Sequence, residues 1–578
     1  MSDRTAPGDR RHDLDALRAF AMLLGIALHA ALAYSGAGWV VSDDRVSVGL
    51  GMLVPAIHGF RMPLFFLISG FFTAMLWRRR GLEHLLSQRA RRILLPLTLG
   101  CLTIVPAMWG VTRWAVSQQT VQVREAAGER APRERAPTPG IWTVAAYGDM
   151  EGLRAYTADS ELLNTPDPTF GVTPLGWTVI RNTPNATEYL LEVGADPSAR
   201  YQDRNTPLHT ACFFGRSEVA ELLLRAGADQ TAASATGDPP VHAMSHDRHT
   251  VELIANILKV PIDYDEVTAG RDRIRRMLEG ADVARSKATP RSHAGESWPA
   301  WLRSQLRSDV FFQHLWFLWF LCWLNAGFAL VVLLARVLPS VKLPAALVGP
   351  PRCLLWLVPL TLLTQSRMHV DGAVPGFGPD TSAGLAPAPH VLLHYAAFFG
   401  FGAVTHCARG PSARLGRFWY AMLPIALVVL PFGLMFGYNA AGAADIIAHA
   451  GARRWVSCLL QVLYPWLMTL GLLGLSESML AKDRPWLRYL SDASYWLYLV
   501  HLPLIIVGQA LLLRTDLPPL AEFALLTTST TAALLVTYHV AVRYTPIGAL
   551  LNGKRARPPE GSISTPNREG ERTRPNIS

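Results

Sequence analysis

Charge is scarce in this chain. Asp, Glu, Lys and Arg make up 17% of its 578 residues, whereas 50% are hydrophobic, which excludes an intrinsically disordered, heavily solvated protein. Cysteine is scarce too. Of six, Cys101, Cys322, Cys353, Cys407 and Cys458 lie in or beside apolar segments and Cys212 stands apart in a polar region, so no disulfide framework is expected. No small-residue cleavage pattern follows the first apolar segment, which is too long for a leader and is expected to stay as a membrane helix. The net charge of +10 could suggest nucleic acid. Arg and Lys sit mostly in short loops and tails, however, where membrane topology places them, and no nucleic-acid role is expected.

What the chain has in abundance is long apolar runs. They recur at 14–35, 52–77, 93–116, 310–337, 353–366, 388–407, 418–438, 456–478, 488–513 and 519–543, each near the length needed to cross a bilayer as a helix, with 353–366 the shortest. The expected fold is all-α: a polytopic membrane bundle of about ten helices interrupted by a soluble insert. The basic stretches 78–92, 335–342, 408–417, 481–488 and 552–558 fall on alternate sides of successive spans as one set, which predicts cytoplasmic termini and an external insert. Arg453 and Arg454 are a mild exception.

The insert repeats itself. "TPLGWTVIRNTPNATEYLLEVGADP" begins at Thr173 and "TPLHTACFFGRSEVAELLLRAGADQ" at Thr206, 33 residues later, and "PPVHAM" places His242 a further 33 residues after His209. This resembles the ankyrin repeat, with a looser upstream unit, "WTVAAYGDMEGLRAY", and a downstream one that slips register. Such stacks bind proteins on a concave face, so an extracytoplasmic protein partner is one expectation and a passive spacer the other. His242, His246 and His249 have spacing that could hold a metal, but His242 is the repeat's own turn histidine and a fourth ligand is missing, so no metal is expected.

The first span, "LDALRAFAMLLGIALH", carries Asp15, Arg18 and His29, and ionisable groups at bilayer depth are costly unless they face a protein interior or water-filled site. Arg18 and His29 are eleven residues apart, which puts them within about 20° of one helix face and roughly 16 Å apart along the axis. Asp15, Met22 and Gly25 share the stripe, Gly25 being expected to let another backbone come close. His58 and Arg61 begin the second span and His314 the fourth, at depths comparable with His29, making an acid–base cluster. At the other end Arg78, Arg79, Arg80, Arg89, Arg91 and Arg92 crowd a short loop that could take phosphates. The alternatives are that Arg18 snorkels, Asp15 caps a helix end and the loop arginines only set topology.

"RRHDLDALRAFAMLLGIALHA", "FFLISGFF" at 65–72, "RARRILLP" at 89–96 and "LSDASYWLYLVHLPLII" at 490–506 together resemble the acyltransferase-3 family of polytopic membrane acyltransferases, in particular its glucan-modifying branch. The resemblance covers about 1–116 and 310–545. It implies transfer of an acetyl or succinyl group from cytoplasmic acyl-CoA to a carbohydrate hydroxyl across the membrane, with no permanently bound cofactor. It further implies His29 as general base or transient acyl carrier and Arg18 as its partner toward the donor. Arg89 and Arg92 would hold CoA phosphates, Ser69 would line the donor channel, and Tyr498 and His501 fall in the carboxyl-terminal signature. Asp15 would fix Arg18 by an i, i+3 contact. The group that stabilises the thioester oxygen stays open among Arg61, Tyr498 and His314.

The corresponding division is 1–116 and 310–545 for the membrane unit, 117–139 and 266–309 for linkers, 140–265 for the repeats and 546–578 for a disordered tail. Two other classes compete. A proton- or solute-coupled transporter also uses buried His, Asp and Arg, but the chain lacks an obvious pair of membrane repeats. A membrane-anchored ankyrin scaffold would need neither about ten spans nor a charged stripe.

Overall fold

The computed structural model describes residues 11–553 except 37–38, 44, 130–139, 157–161, 168–170, 202–203, 235–236, 247, 259, 282–310, 338–343, 369–375, 410–414, 439–441 and 448. Among the described residues every regular element is helical. The part of the expected linkers at 130–139 and 282–309 and the tail beyond 553 lie outside them.

Each of the ten apolar segments coincides with a helix. The first is α1 (His12–Ala31), followed by α2 (Val48–Arg89) and α3 (Leu95–Glu129). After the insert come α12 (Trp316–Leu334), α13 (Leu354–Gln365), α14 (Pro389–Arg409), α15 (Trp419–Gly437), α16 (Ala450–Met479), α17 (Pro485–Leu512) and α18 (Pro519–Thr537). Seven stretches among the described residues are long and apolar enough to cross a membrane, and one of them, 72 residues long, holds both α2 and α3. The expected ten is therefore not reached on length and composition, in part because α13 has only 12 residues.

Small residues set the packing. A Cβ at Gly70 would lie 1.9 Å from the Phe399 carbonyl oxygen, and one at Gly402 would lie 2.0 Å from that of Leu67. Helices α2 and α14 thus cross backbone to backbone, the contact that apolar surroundings reward, because lipid offers no hydrophobic drive between helices. Helix α1 packs between α2 and α17. That position turns its polar stripe toward protein rather than lipid.

Two sequence expectations are corrected here. The basic stretch 78–92 is not a loop: α2 runs through it with a left-handed break at Gly81 (φ 78°), and a π-helical turn over Ala90–Leu94 leads into α3. Residues 117–129, expected as linker, continue α3 as helix.

The insert is a stack of short helices: α4 (Ile141–Tyr147), α5 (Met150–Tyr156), α6 (Pro174–Arg181), α7 (Pro184–Glu192), α8 (Pro207–Phe214), α9 (Ser217–Arg225), α10 (Arg248–Ile257) and α11 (Tyr264–Ala281). The TPLH motif is a helix start. The Thr206 backbone N–H donates to His209 Nδ1 at 3.1 Å, and His209 Nε2 donates to the Asp238 carbonyl of the next unit at 3.1 Å, so one ring caps its own helix and ties two repeats. In the third copy His242 instead lies on a 3-10 turn (Pro240–Ser245) and pairs with Asp238 at 3.1 Å. His246 meets the edge of Phe213, and the His249 side chain lies outside the described residues. Helix α11 packs on α8 and α9, so the packed repeats run past the expected boundary at 265 to Ala281.

Candidate active site

Helix α1 puts its two ends to different uses. At the end near the arginine-rich turn, an Arg18 Nη donates to Ser491 Oγ at 2.8 Å and to the Ser491 carbonyl at 3.1 Å, and lies 3.6 Å from Asp15. Ser491 Oγ in turn donates to Asp15 at 3.3 Å. Asp15 thus holds Arg18 as its i, i+3 partner, and α17 supplies the third member. His12, Asp15, Lys482, Arg484 and Arg488 line a cleft beside it.

Arg89 reaches back along α2 and donates to Thr73 at 2.9 Å; Thr73 donates to Asn325 of α12 at 3.2 Å. Its Nε is buried without a partner among the described residues. Arg92 sits on the π-helical turn, its carbonyl accepting the Tyr495 hydroxyl at 2.8 Å. A π-helical turn re-aims side chains that a regular helix would fan apart. Ser69 is half-buried on α2 and makes no hydrogen bond among the described residues.

Three histidines meet at the far end of α1. The His29 and His501 ring centroids are 5.0 Å apart, and those of His501 and His314 5.6 Å. The hydrogen bonds assign the protons. His501 Nδ1 lies 3.0 and 2.9 Å from the Leu497 and Tyr498 carbonyls, which only accept, so Nδ1 carries the proton and the lone pair is on Nε2. That lone pair faces His29 Nδ1 at 3.1 Å, and the Gly25 carbonyl faces the same nitrogen at 2.8 Å. His29 Nδ1 is therefore protonated. The free lone pair of His29 is left on Nε2, on a ring that is only half-buried.

Arg61 lies against this pair. A Cβ at Gly25 would fall 2.0 Å from an Arg61 Nη, so the glycine admits a guanidinium rather than the backbone expected from sequence. Arg61 forms no ion pair among the described residues. Tyr498 donates its hydroxyl to the His314 carbonyl at 2.7 Å, and His314 Nε2 donates to the Leu499 carbonyl at 3.0 Å, leaving His314 Nδ1 buried and unpartnered among the described residues. His58 does not join the cluster: its Nε2 donates to the Pro379 carbonyl at 3.0 Å, beside Gly378.

Sequence reasoning missed several participants. Gln509 donates to the His29 carbonyl at 2.9 Å and accepts the Trp39 indole N–H at 3.0 Å. Ser491, Thr73 and Asn325 were missed as well. The available signal was a lone amide or hydroxyl within an apolar run, which membrane helices also use for ordinary packing.

A family profile described as "Acyltransferase domain" matches residues 11–179 and 292–539, and one for three copies of the ankyrin repeat matches 141–234. "Glucans biosynthesis protein C" of Salmonella typhi is 39% identical over 104 residues, 18% of this chain and 26% of that protein. The protein of the same name from Escherichia coli is 39% identical over 102 residues, again 18% of this chain and 26% of the relative. The chain thus spans about a quarter of the length of these curated relatives.

Proposed function

The chain belongs to the acyltransferase-domain family, and on that premise we propose that it is an integral-membrane O-acyltransferase. It moves an acetyl or succinyl group from cytoplasmic acyl-CoA to a hydroxyl of a glucan or related carbohydrate on the other side of a bacterial inner membrane. The name of the relatives supports a glucan as acceptor. The observation that carries the reading is the His29–His501 pair, which leaves His29 Nε2 as an open base.

Attack of a hydroxyl on a thioester needs a base, relief of charge on the carbonyl oxygen and exclusion of water. His29 Nε2 takes the hydroxyl proton as the acceptor oxygen bonds to the thioester carbon. When the C–S bond breaks, the imidazolium returns that proton to the departing sulfur. His501 Nε2 faces the His29 Nδ1–H and stabilises the imidazolium in between. Arg61 faces the carbonyl oxygen; the Tyr498 hydroxyl and the His314 Nε2–H, its competitors for that role, are committed to backbone carbonyls. Arg89, Arg92 and Arg18 receive the CoA phosphates at the opposite end, where the basic residues mark the cytoplasmic side.

Membranes carrying the wild type or His29→Ala, supplied with isotope-labelled acyl-CoA, test the reading. Label in a glycan is expected from the wild type and to fall by about 10²-fold or more in the variant, the usual contribution of a positioned base. Equal labelling would remove His29 from the mechanism.

A further inference from the structure

Residues 39–43 and 45–47, between α1 and α2, form a strap tied down over the His29 end of the bundle. The Asp43 N–H donates to the Ala33 carbonyl and the Ser47 N–H to the Tyr34 carbonyl, both at 2.9 Å. The Gln119 amide of α3 donates to the Ser42 carbonyl at 2.9 Å. Arg45 bridges Asp43 at 2.7 Å and Glu522 of α18 at 2.9 Å, Glu522 being fully buried. Val41 is sealed into a small core with Met108, Leu502 and Ile506.

This strap carries Trp39. Its ring centroid is 6.2 Å from that of His29, inclined by 39°. Gln509 holds the indole N–H at 3.0 Å and, through its other amide atom, the His29 carbonyl at 2.9 Å. One side chain therefore fixes the indole and the base relative to each other. The indole is partly packed on the small core around Val41 and stays half-exposed, so part of an aromatic surface remains open within reach of the His29 ring. A buried Trp N–H needs a partner, and with that need met inside the protein the ring is free to act through its π-face.

We propose that Trp39 is the acceptor platform: a pyranose lays its C–H face on the indole at about 3.5–4 Å and so presents one ring hydroxyl to His29. The proposal rests on the acyl-transfer reading above and deepens it by naming the residue that selects a sugar. A ring stacked there has its hydroxyls at its rim, toward the imidazole, whereas a lipid tail would bring no nucleophile to the base. The strap is held by an ion triad, an amide bridge and a buried valine, so the platform is preorganised and its orientation costs little on binding.

Full-length enzyme in membranes, with labelled acyl-CoA and graded glucan, tests it through Trp39→Ala, Trp39→Phe and Gln509→Leu. Trp39→Ala is expected to raise the glucan KM about tenfold, the loss of one stacking contact, with a smaller change in kcat at saturating glucan. Trp39→Phe keeps a ring and is expected to lose less. Gln509→Leu frees the indole without removing it and should move KM the same way, which covers the case in which Trp39→Ala fails to fold. A glucan KM within twofold of wild type in Trp39→Ala overturns the proposal. A fall of kcat at constant KM also overturns it, since that marks a purely structural role. Should the wild type transfer no acyl group, the acyl-transfer reading fails by itself; retention of labelled glucan on wild-type membranes and its loss in Trp39→Ala would still support the platform, and equal retention would overturn it.

Discussion

A histidine serves as a base only if one nitrogen is bare and the other is held. In His29 both conditions are met by neighbours far apart in sequence: Gly25 one turn below, and His501 on α17. In the proposed mechanism His501 acts through His29, and the two should behave as a unit. His501→Ala is expected to lower kcat about tenfold with the acceptor KM unchanged, and His29→Ala/His501→Ala to lose no more than His29→Ala alone. A double variant that falls well below the single one would give His501 a separate task. The sequence reveals His29, Arg18 and Asp15, because ionisable groups on an apolar helix have few inexpensive explanations. It does not reveal Gln509 or Ser491, whose partners lie more than 470 positions away and whose types are ordinary in membrane helices. The purpose of Gly25 was misread for the same reason: sequence shows that space is needed, not that Arg61 fills it.

Among elements, the repeats were the most legible and their end the least. The TPLH copies expose their period directly, whereas α11 is polar enough to pass for a linker until its buried face is seen. Arg271 of α11 donates to the Phe213 carbonyl at 2.6 and 3.1 Å, the Met244 carbonyl at 3.0 Å and the His246 carbonyl at 2.8 Å. It thus satisfies the carbonyls where α8 and the following 3-10 turn end. Arg271→Met removes charge-assisted bonds from acceptors of which the Met244 carbonyl is buried and is expected to destabilise the stack by about 3 kcal/mol. Cys212, fully buried in α8 with its thiol pushed up to about 12 by burial, is the reporter. In a chain whose only cysteine is Cys212, thiol reagent at neutral pH should react slowly in the wild-type repeats and much faster in Arg271→Met. Equal rates would deny Arg271 its capping role. The bend at 78–92 was hidden for a different reason: Gly81 signals a turn, but a π-helical turn has no sequence signature.

At the scale of the whole molecule, the apolar periodicity yields an all-helical membrane bundle with an inserted stack, while the packing order of the helices waits on contacts such as Gly70 with Phe399. Sidedness is a prediction of the basic residues alone. Impermeant thiol reagent applied to intact cells should label Ser245→Cys, exposed in the insert, and spare Arg484→Cys in an otherwise cysteine-free chain. The reverse pattern would turn the protein over and put the base on the donor side. One further consequence follows from α3, which runs on unbroken to Glu129 and has α10 resting against it. A slack cord passes on a pull and nothing else, but a stiff rod also carries twist. A torque applied to the solenoid would reach the third span through α10, and that rod begins at the turn bearing Arg92.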